Sequence, residues 1–292
     1  MDVVITYVDG NDPVWQKDYE RFTNVPILQK RFRDWGTLKY LLRGIQVNMP
    51  FIRNVYLVVS HLSQVPQWVD RNNLKIVLHE EIIPAEYLPT FNSTTIEMFL
   101  HRIPGLDEQY IYFNDDIFPV MPSVPEDFFR DGKAVIGMSR HLFVTGMYKR
   151  HVRRSDSLAR AALGLPKGLT FLRAQHSCIP VLKSQSAEVA ERQQEAVKKS
   201  LSRVRNDGNI NMTLFLSYMY HKSLVINQRQ SCRHISLAAV TQSRLRESIM
   251  EPERRMLCIN DVRLSEDKFT TYRDLIIGMF ENRFPLRSRF EL

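Results

Sequence analysis

Long apolar runs are missing from this sequence of 292 residues. No stretch approaches the roughly 20 consecutive apolar residues that a membrane-spanning helix needs. The first residues, Met1 to Tyr7, also lack the basic segment and the longer apolar core that are typical of a secretory signal peptide. The sequence therefore predicts a soluble protein with a cytoplasmic location.

Cysteine is scarce, with three residues in the chain: Cys178, Cys232 and Cys258. Their number is odd, they are widely spaced, and no two of them form a CxxC pair. These features argue against a disulfide framework and against a zinc ribbon, because both need cysteines at characteristic spacings. We interpret all three as buried thiols.

Internal repeats, low-complexity tracts and obvious linkers are also absent from the sequence. Hydrophobic residues make up 44% of the chain, which is enough for one large core or two modest ones. Apolar strand-like runs alternate with amphipathic segments, and this pattern predicts an α/β fold. We expect a single domain over residues 1–292, with a Rossmann-like or GT-A-like mixed sheet flanked by helices and a helical insertion at about residues 140–220.

Four of the predicted helices can be placed by their caps and apolar spacing. Ser93 is a good N-cap for a helix that would continue to about residue 101. Residues 156–163 predict a short helix, residues 187–201 a long polar helix, and residues 272–280 a helix near the end of the sequence.

The formal net charge is +8 and the isoelectric point is about 9.4. Such a surface attracts polyanions, whether nucleic acid, anionic lipid or a phosphorylated substrate. The basic residues cluster at residues 149–154, 198–205 and 283–289, and solvated surface faces are the alternative explanation for them. Because the sequence contains no zinc finger, no RNP motif and no basic region joined to heptads, we do not expect a nucleic-acid partner.

Residues 110–116, with the sequence Tyr-Ile-Tyr-Phe-Asn-Asp-Asp, predict a strand that ends in polar side chains. Ile111 and Phe113 would occupy one face and two tyrosines the other, so the strand would be packed on both faces. An unpaired carboxylate is costly to bury, so we expect Asp115 and Asp116 at the open carboxyl end, where α/β sheets bind ligands. Two neighbouring carboxylates suit Mg²⁺. A polar turn is the alternative, because Asn-Asp-Asp is also good turn chemistry.

A second predicted strand, at residues 3–8, also ends in acidic residues. In the turn that follows, we expect Gly10 to relieve backbone strain and Asp9 and Asp12 to face solvent or a ligand. Two strands of one sheet that both end in carboxylates would form a shared site. The segment Arg-Phe-Arg-Asp at residues 31–34 adds two guanidinium groups, which bind phosphate well but often form surface pairs at the start of a helix.

Several segments resemble the conserved blocks of one family, in the same order. They are residues 2–13, residues 31–34, Leu-Pro-Thr-Phe-Asn-Ser at 88–93, Glu97 with His-Arg-Ile-Pro-Gly at 101–105, Tyr-Phe-Asn-Asp-Asp at 112–116, His176 in Gln-His-Ser-Cys-Ile-Pro, Arg203 with Asp207 and Asn209, Cys-Ile-Asn-Asp at 258–261, and Phe-Pro-Leu-Arg-Ser-Arg-Phe-Glu at 284–291. Together they resemble the Stealth proteins. These hexose-1-phosphate transferases include bacterial capsular polysaccharide polymerases and the catalytic core of the lysosomal-targeting N-acetylglucosamine-1-phosphotransferase.

The resemblance implies transfer of a sugar-1-phosphate from a UDP-sugar to a hydroxyl of a glycan acceptor. UMP would be released, N-acetylhexosamine-1-phosphate is the first candidate for the transferred group, and the pathway would be capsule or surface polysaccharide synthesis. This reaction is phosphoryl transfer, which needs neutralised diphosphate charge, an in-line nucleophile and a proton acceptor.

The resemblance also implies a role for each site residue. Asp115, Asp116 and Asp261 would hold Mg²⁺ or Mn²⁺. Arg203 would neutralise phosphate oxygens, with Arg205 as the alternative, and His176 would accept the hydroxyl proton, with one carboxylate of the Asp pair as the alternative base. The residues expected to bind donor or acceptor are Asp9, Gly10, Asn11, Arg31, Arg33, Asp34, Asn92, Ser93, Glu97, His101, Asn114, Arg205 and Asn260. A purely structural role is the alternative for His101.

Two other functional classes stay open at this point. A metal-dependent GT-A glycosyltransferase would share the acidic strand end but would release UDP, whereas a non-catalytic polyanion-binding module would explain the charge and tolerate loss of the Asp pair. For the transferase we expect a UDP-sugar donor and a glycan acceptor as partners. A lipid-anchored acceptor would bring the basic segments to an anionic bilayer, in peripheral contact with the inner membrane.

Overall fold

The structure is a computed structural model that describes residues 1–260 and 264–292, and the side chains of Gln29 and Lys30 lie outside that description. Its strands are β1 (Asp2–Thr6), β2 (Val55–Val59), β3 (Lys75–Leu78), β4 (Gln109–Asn114), β5 (Ile117–Pro119), β6 (Phe129–Arg130), β7 (Lys133–Val135), β8 (Met138–His141), β9 (Phe171–Ala174), β10 (Ile179–Leu182), β11 (Val225–Ile226), β12 (Cys232–Ser236) and β13 (Met256–Asn260). Its α-helices are α1 (Pro13–Phe22), α2 (Gln29–Phe32), α3 (Leu38–Asn48), α4 (His79–Ile82), α5 (Ser93–Glu97), α6 (Gly146–Ala162), α7 (Lys183–Arg192), α8 (Gln194–Ser200), α9 (Thr213–His221), α10 (Gln242–Met250) and α11 (Glu266–Arg283).

A five-stranded mixed sheet forms the centre of the molecule, with the strand order β10-β4-β1-β2-β3. Strands β4, β1, β2 and β3 are parallel, and β10 pairs antiparallel with β4. Strand β2, with the sequence Val-Tyr-Leu-Val-Val, is buried along its whole length, as expected for a parallel strand that is covered on both faces. The predicted α/β class, a mixed sheet flanked by helices, is confirmed.

The two faces of the sheet belong to two hydrophobic cores. Ile111 and Phe113 of β4 pack in the core that contains Leu38 of α3 and Phe280 of α11. The tyrosines of β4 pack on the other side, in the core that contains Phe215 of α9. The predicted alternation of faces along β4 is therefore present, and it leaves the polar residues at the end of the strand outside both cores.

Three smaller sheets surround the central one. Strand β13 pairs parallel with β12 and antiparallel with β5, so the chain that leaves β4 enters this sheet directly. Strands β8 and β9 form a separate antiparallel ladder, and β6, β7 and β11 form the last sheet. The segment predicted as a helical insertion contains α6 to α9, and it also contains β9 and β10, of which β10 joins the central sheet.

Several predicted helix boundaries are wrong. Helix α5 has Asn92 rather than Ser93 as its N-cap, because the extended Asn92 accepts a hydrogen bond from the backbone N–H of Thr94 through its side chain, and α5 ends at Glu97. The helix predicted at residues 156–163 begins ten residues earlier in the structure, at Gly146. The long helix predicted at residues 187–201 divides into α7 and α8 at Gln193.

The α-helices of the described segments are 4 to 18 residues long. None of these helices is long and apolar enough to cross a membrane. The terminal helix α11 is longer than predicted, at 18 residues, but it carries charged residues throughout.

Candidate active site

A cleft of about 440 Å³ opens at the carboxyl ends of the parallel strands. Tyr7 follows β1, Ser60 follows β2, and Asn114 to Asp116 end β4, and all of these residues line the cleft. Ligands bind at this edge in open α/β sheets, because the strand ends leave backbone and polar side chains uncovered there. Two segments remote in sequence complete the walls, at residues 174–177 and 205–216.

Most of the predicted site residues line this cleft. Those that do are Arg31, Arg33, Asp34, Asn92, Ser93, Glu97, Asn114, Asp115, Asp116, His176, Arg205 and Asn260. Within residues 1–260 and 264–292, the predicted residues that do not line it are Asp9, Gly10, Asn11, His101 and Arg203. Asp261, predicted as a metal ligand, lies outside the described residues.

Asp115 and Asp116 form the two-residue turn that joins β4 to β5. The predicted turn is present, and it lies at the carboxyl end of a buried parallel strand and lines the cleft, where the predicted ligand site would be. Tyr112 orients the side chain of Asn114, because its hydroxyl donates a 2.8 Å hydrogen bond to the side-chain oxygen of Asn114. Burial raises the pKa of Tyr112 well above its usual value, so this hydroxyl remains a donor.

The acidic ends of β1 and β4 share one electrostatic environment around Tyr7. Burial raises the pKa of Tyr7, and the negative charges of Asp34, Asp9 and Asp115 raise it further. Burial also raises the pKa of Asp34 above its usual range, and Asp9 contributes in the same direction. Asp9 thus acts on the cleft through its charge, although its own carboxylate accepts a local hydrogen bond from the backbone N–H of Asn11.

A close backbone contact, rather than the predicted relief of backbone strain, explains why glycine occupies position 10. The backbone N–H of Gly10 donates a 2.6 Å hydrogen bond to the carbonyl oxygen of Phe32. A Cβ atom at this position would lie 2.5 Å from that same oxygen. Only glycine permits so close an approach, which holds the Arg31 to Asp34 segment against the end of β1.

Two arginines approach each other on the basic side of the cleft. Burial lowers the pKa of Arg31, and the neighbouring charge of Arg205 lowers it further. The Nε atom of Arg205 is buried and has no hydrogen-bond partner among the described residues. An anion that bound between the two guanidinium groups would relieve both their repulsion and the unmet donor.

Arg203 points away from the cleft. Its guanidinium donates a 3.1 Å hydrogen bond to the carbonyl oxygen of Leu88 and lies 5.5 Å from the ring centroid of Phe22. The predicted alternative, Arg205, is the arginine of this segment that lines the cleft. In an extended strand, residues two positions apart place their side chains on the same face, so Arg203 and Arg205 would point the same way. They point to different places because residues 201–211 follow an irregular path.

Asn92 fixes that path. It is buried, and its side-chain amide donates to both the backbone carbonyl of Ser202 and the side-chain oxygen of Asn209. Asn209 in turn donates a 2.7 Å hydrogen bond to the carbonyl oxygen of Ser200. The same residue that caps α5 therefore ties the arginine-bearing segment to the helix that carries Glu97.

Glu97 is a buried carboxyl group on the cleft wall. Its side chain accepts a 2.9 Å hydrogen bond from the backbone N–H of Met212. Burial raises the pKa of Glu97 to about 7, although the positive charge of Arg205 acts in the opposite direction. A carboxyl group with this pKa can hold or release a proton near neutral pH, which is typical of functional sites.

His176 lies across the cleft in contact with a buried thiol. Burial lowers the pKa of His176 to about 4, with the neighbouring His234 and Arg173 contributing, so the imidazole is neutral at pH 7. Its Nδ1 atom is 3.5 Å from the Sγ atom of Cys258, and that Sγ donates to the Oδ2 atom of Asp116 at 3.6 Å. Sequence reasoning assigned Cys258 only as a buried thiol and missed its position between the predicted base and the Asp pair.

His101 lies behind the cleft wall. Its ring packs edge-on against Phe215, with ring centroids 6.0 Å apart. Burial lowers the pKa of His101 to about 4, and the charges of Arg102 and Lys183 lower it further. This environment agrees with the structural alternative, in which His101 supports the helix-to-loop junction after α5.

Two groups of side chains near the cleft differ in the metal ion that they suit. The turn carboxylates of Asp115 and Asp116, together with nearby amide oxygens, are hard oxygen donors and fit Mg²⁺ or Mn²⁺. The ligand atoms of His176, His234 and Cys258 all lie within 4.8 Å of one another, but nitrogen and sulfur donors suit softer ions. Of the two groups, the carboxylates of the turn therefore match the donor chemistry of the expected magnesium.

Comparison with known proteins gives the family. The family model "Stealth protein CR2, conserved region 2" matches residues 31–136. Capsular polysaccharide phosphotransferase WcwK of Streptococcus pneumoniae is 30% identical to this chain, and the alignment covers 100% of this chain and 99% of WcwK. The chain belongs to the Stealth family. Both the predicted family and the predicted class of protein, a transferase enzyme, are confirmed.

Two other relatives are also named as polysaccharide phosphotransferases. Receptor polysaccharide phosphotransferase WefC of Streptococcus oralis is 29% identical, over 100% of this chain and 99% of WefC. A capsular polysaccharide phosphotransferase of Neisseria meningitidis serogroup B is 30% identical, over 89% of this chain and 76% of its own. Among solved structures, the galactosyltransferase LgtC covers 97% of this chain and 96% of its own at 13% identity, but the TM-score of 0.44 is too low to support a functional argument.

Proposed function

We propose that this Stealth protein transfers a sugar-1-phosphate from a UDP-sugar to a hydroxyl of a glycan acceptor and releases UMP, in capsule or surface polysaccharide synthesis. The observation that carries the proposal is one cleft with three kinds of groups: the carboxylates of Asp115 and Asp116, the paired guanidinium groups of Arg31 and Arg205, and the neutral imidazole of His176. The names of the relatives support it, since they are capsular and receptor polysaccharide phosphotransferases.

Phosphoryl transfer explains this set of groups better than glycosyl transfer does. In the proposed reaction the acceptor oxygen forms a bond to the β-phosphorus, and the bond from that phosphorus to the oxygen bridging the two phosphates breaks. UMP leaves with the bridging oxygen, and the anomeric C–O bond stays intact. The protein therefore has to neutralise and position a diphosphate, for which arginine pairs and a hard metal ion are suited.

The chain's own residues then have definite tasks. Arg205 and Arg31 bind phosphate oxygens, and His176 takes the proton of the acceptor hydroxyl at one of its ring nitrogens. Glu97 is within electrostatic range of Arg205, whose charge favours the ionised carboxylate. Mg²⁺ or Mn²⁺, held by Asp115 and Asp116, would supply further charge neutralisation on the diphosphate.

The way the cleft is built supports a single catalytic domain. The central sheet supplies Asp115 and Asp116, whereas the segment at about residues 140–220 supplies Tyr148, His176 and Arg205 to the same cleft. Neither part contains all of the groups that the reaction needs. We therefore propose that residues 1–292 act as one unit.

Analysis of the released nucleotide tests the proposed function directly. The protein is incubated with Mg²⁺, a glycan acceptor and a panel of UDP-sugars, and the nucleotide products are separated by chromatography. We expect UMP in amounts equal to the sugar-1-phosphate found on the acceptor. Release of UDP would instead identify a glycosyltransferase, and binding of the polymer without turnover of any donor would identify a polyanion-binding module.

The two neighbouring arginines provide a matched pair of variants. We expect Arg205→Gln to lower the rate of UMP release by at least about 100-fold, because a phosphate-binding cation in the cleft is lost. Arg203→Gln, which removes the same charge from a side chain outside the cleft, should change the rate by less than about threefold. Steady-state rates of both purified variants check this, and a larger loss from Arg203→Gln than from Arg205→Gln would contradict it.

A further inference from the structure

Three apolar side chains are exposed together near the cleft. Leu142, Phe143 and Leu169 have exposed fractions of 52%, 74% and 87%. Leu142 and Phe143 follow β8 and Leu169 precedes β9, and these two strands pair antiparallel with His141 opposite Phe171 as the last pair. Phe143 and Leu169 are each two residues beyond that pair, so both lie at the same end of the ladder. We call these three residues the apolar tip.

Positive charge surrounds the apolar tip. Residues 138–174 contain eight Lys or Arg and one acidic residue, which gives a formal net charge of +7 in a chain whose total is +8. The acidic residue, Asp156, is buried and forms an ion pair with Arg160, so it does not offset the surface charge. Arg140, Arg153 and Lys167 are exposed.

The ladder connects the apolar tip to the cleft. At its other end Ala174, paired with Met138, lines the cleft, and residues 175–177 continue along the cleft wall. Phe171 is three residues before Ala174, about 10 Å along the strand, and Leu169 is two residues further on. Tyr148, near the start of α6, also lines the cleft, so the tip lies close to the cleft mouth.

We propose that the apolar tip and its basic surroundings dock on an anionic lipid bilayer. Phe143, Leu142 and Leu169 enter the boundary between headgroups and acyl chains, and Arg140, Arg153 and Lys167 contact the anionic headgroups. Exposed apolar side chains flanked by Lys and Arg are the combination that binds such surfaces, since neither the apolar nor the electrostatic part is sufficient alone. Docking would hold the cleft mouth near the membrane, where a lipid-anchored acceptor is found, and this role of docking rests on the proposed function.

The charge distribution favours a bilayer over the other occupants of such a surface. A second copy of the chain would bring two segments of charge +7 together, which is unfavourable at short range. A soluble polyanionic glycan would be attracted by the basic residues, but it offers no apolar surface for Phe143 and Leu169. Anionic lipid satisfies both parts of the surface at once.

Co-sedimentation with lipid vesicles tests this proposal without any donor or acceptor. The full chain is mixed with vesicles of phosphatidylcholine alone or of equal parts phosphatidylcholine and phosphatidylglycerol. We expect binding to the anionic vesicles, and we expect the double variant F143S/L169S to bind them at least about tenfold more weakly. Both residues are exposed, so the variant should keep the thermal stability of the wild type.

Leu286→Ser is the matched control. Leu286 is 81% exposed and is followed by Arg287, but its segment is bonded to a part of the fold outside the β8–β9 ladder, since the backbone N–H of Leu292 donates to the carbonyl of Trp68, ahead of β3. This variant should bind vesicles like the wild type. Equal binding of the anionic vesicles by F143S/L169S and the wild type overturns the proposal. The proposal is also overturned if the wild type forms a dimer without lipid and the double variant does not.

The vesicle result is separate from the proposed reaction. With a soluble acceptor, F143S/L169S should release UMP at the rate of the wild type, because the tip lies outside the cleft lining. If no nucleotide is released by either protein but the vesicle result is as expected, the reaction is wrong and the docking surface stands. If UMP is released normally and the tip has no effect on vesicle binding, the docking surface is wrong and the reaction stands.

Discussion

Asp116→Asn is expected to lower the rate of UMP release by at least about 100-fold. The substitution keeps the size of the side chain and its position in the turn after β4, but it removes one of the two carboxylate charges that are proposed to hold the metal ion on the diphosphate. It also replaces the acceptor of the hydrogen bond from Cys258 with a weaker one. Initial rates with saturating donor, at several Mg²⁺ concentrations, measure the effect.

The Mg²⁺ dependence separates the two roles that Asp116 could have. If Asp116 is a metal ligand, the variant should need a much higher Mg²⁺ concentration for half-maximal rate, and Asp115→Asn should behave in the same way. If Asp116 is instead the base, the Mg²⁺ dependence should stay unchanged while the rate falls. Asp127→Asn is the control, because Asp127 forms an ion pair with Arg255 outside the cleft. Wild-type rates for both Asp115→Asn and Asp116→Asn would contradict the proposed function.

The edge of the sheet that forms the cleft could be predicted from the sequence, because it depends on local patterns. Alternating apolar residues followed by Asn-Asp-Asp define both the strand β4 and its open end. The strand lies inside the sheet, between β10 and β1, and residues 110–113 are fully buried or nearly so. Burial of carboxylates is costly, so their place at the carboxyl end follows from the same reasoning.

The choice between Arg203 and Arg205 could not be predicted in this way. Residues 201–211 contain neither helix nor strand, so no periodicity relates side chains to faces. Their path depends on hydrogen bonds from Asn92, a residue more than a hundred positions earlier in the chain. Such long-range contacts leave no local trace in a single sequence.

The length of α6 and the contact of Cys258 were missed for related reasons. The first turns of α6 are rich in polar and basic residues, and the helix is stabilised by burial of His151 and Val152 against the rest of the fold rather than by a visible apolar stripe. Cys258 comes between His176 and Asp116 because β13 pairs with β5, directly after the turn. Pairing between distant strands decides this contact.

His176→Ala is expected to abolish UMP release, with a loss of about 100- to 10,000-fold, while the affinity for the UDP-sugar stays nearly unchanged. The reason is that the imidazole is proposed to act on the acceptor hydroxyl, whereas the donor is bound by the arginines and the metal ion. Calorimetric titration of the donor and single-turnover rates of nucleotide release measure the two effects separately. His234→Ala is the control, because His234 packs on His176 with ring centroids 4.8 Å apart but does not line the cleft.

The lowered pKa of His176 makes a second, independent test of the same assignment. A pKa of about 4 means that the imidazole stays neutral, and able to accept a proton, throughout the range from pH 8 to pH 6. In NMR spectra, the His176 ring signals, assigned by their absence from His176→Ala, should not shift over that range in the substrate-free protein. A bound diphosphate adds negative charge and should raise this pKa, so the ring should titrate at higher pH when the donor is present. Titration near the usual value of 6.5 without donor would show that the ring is solvated, and turnover close to the wild type in His176→Ala would assign the proton transfer to the Asp pair.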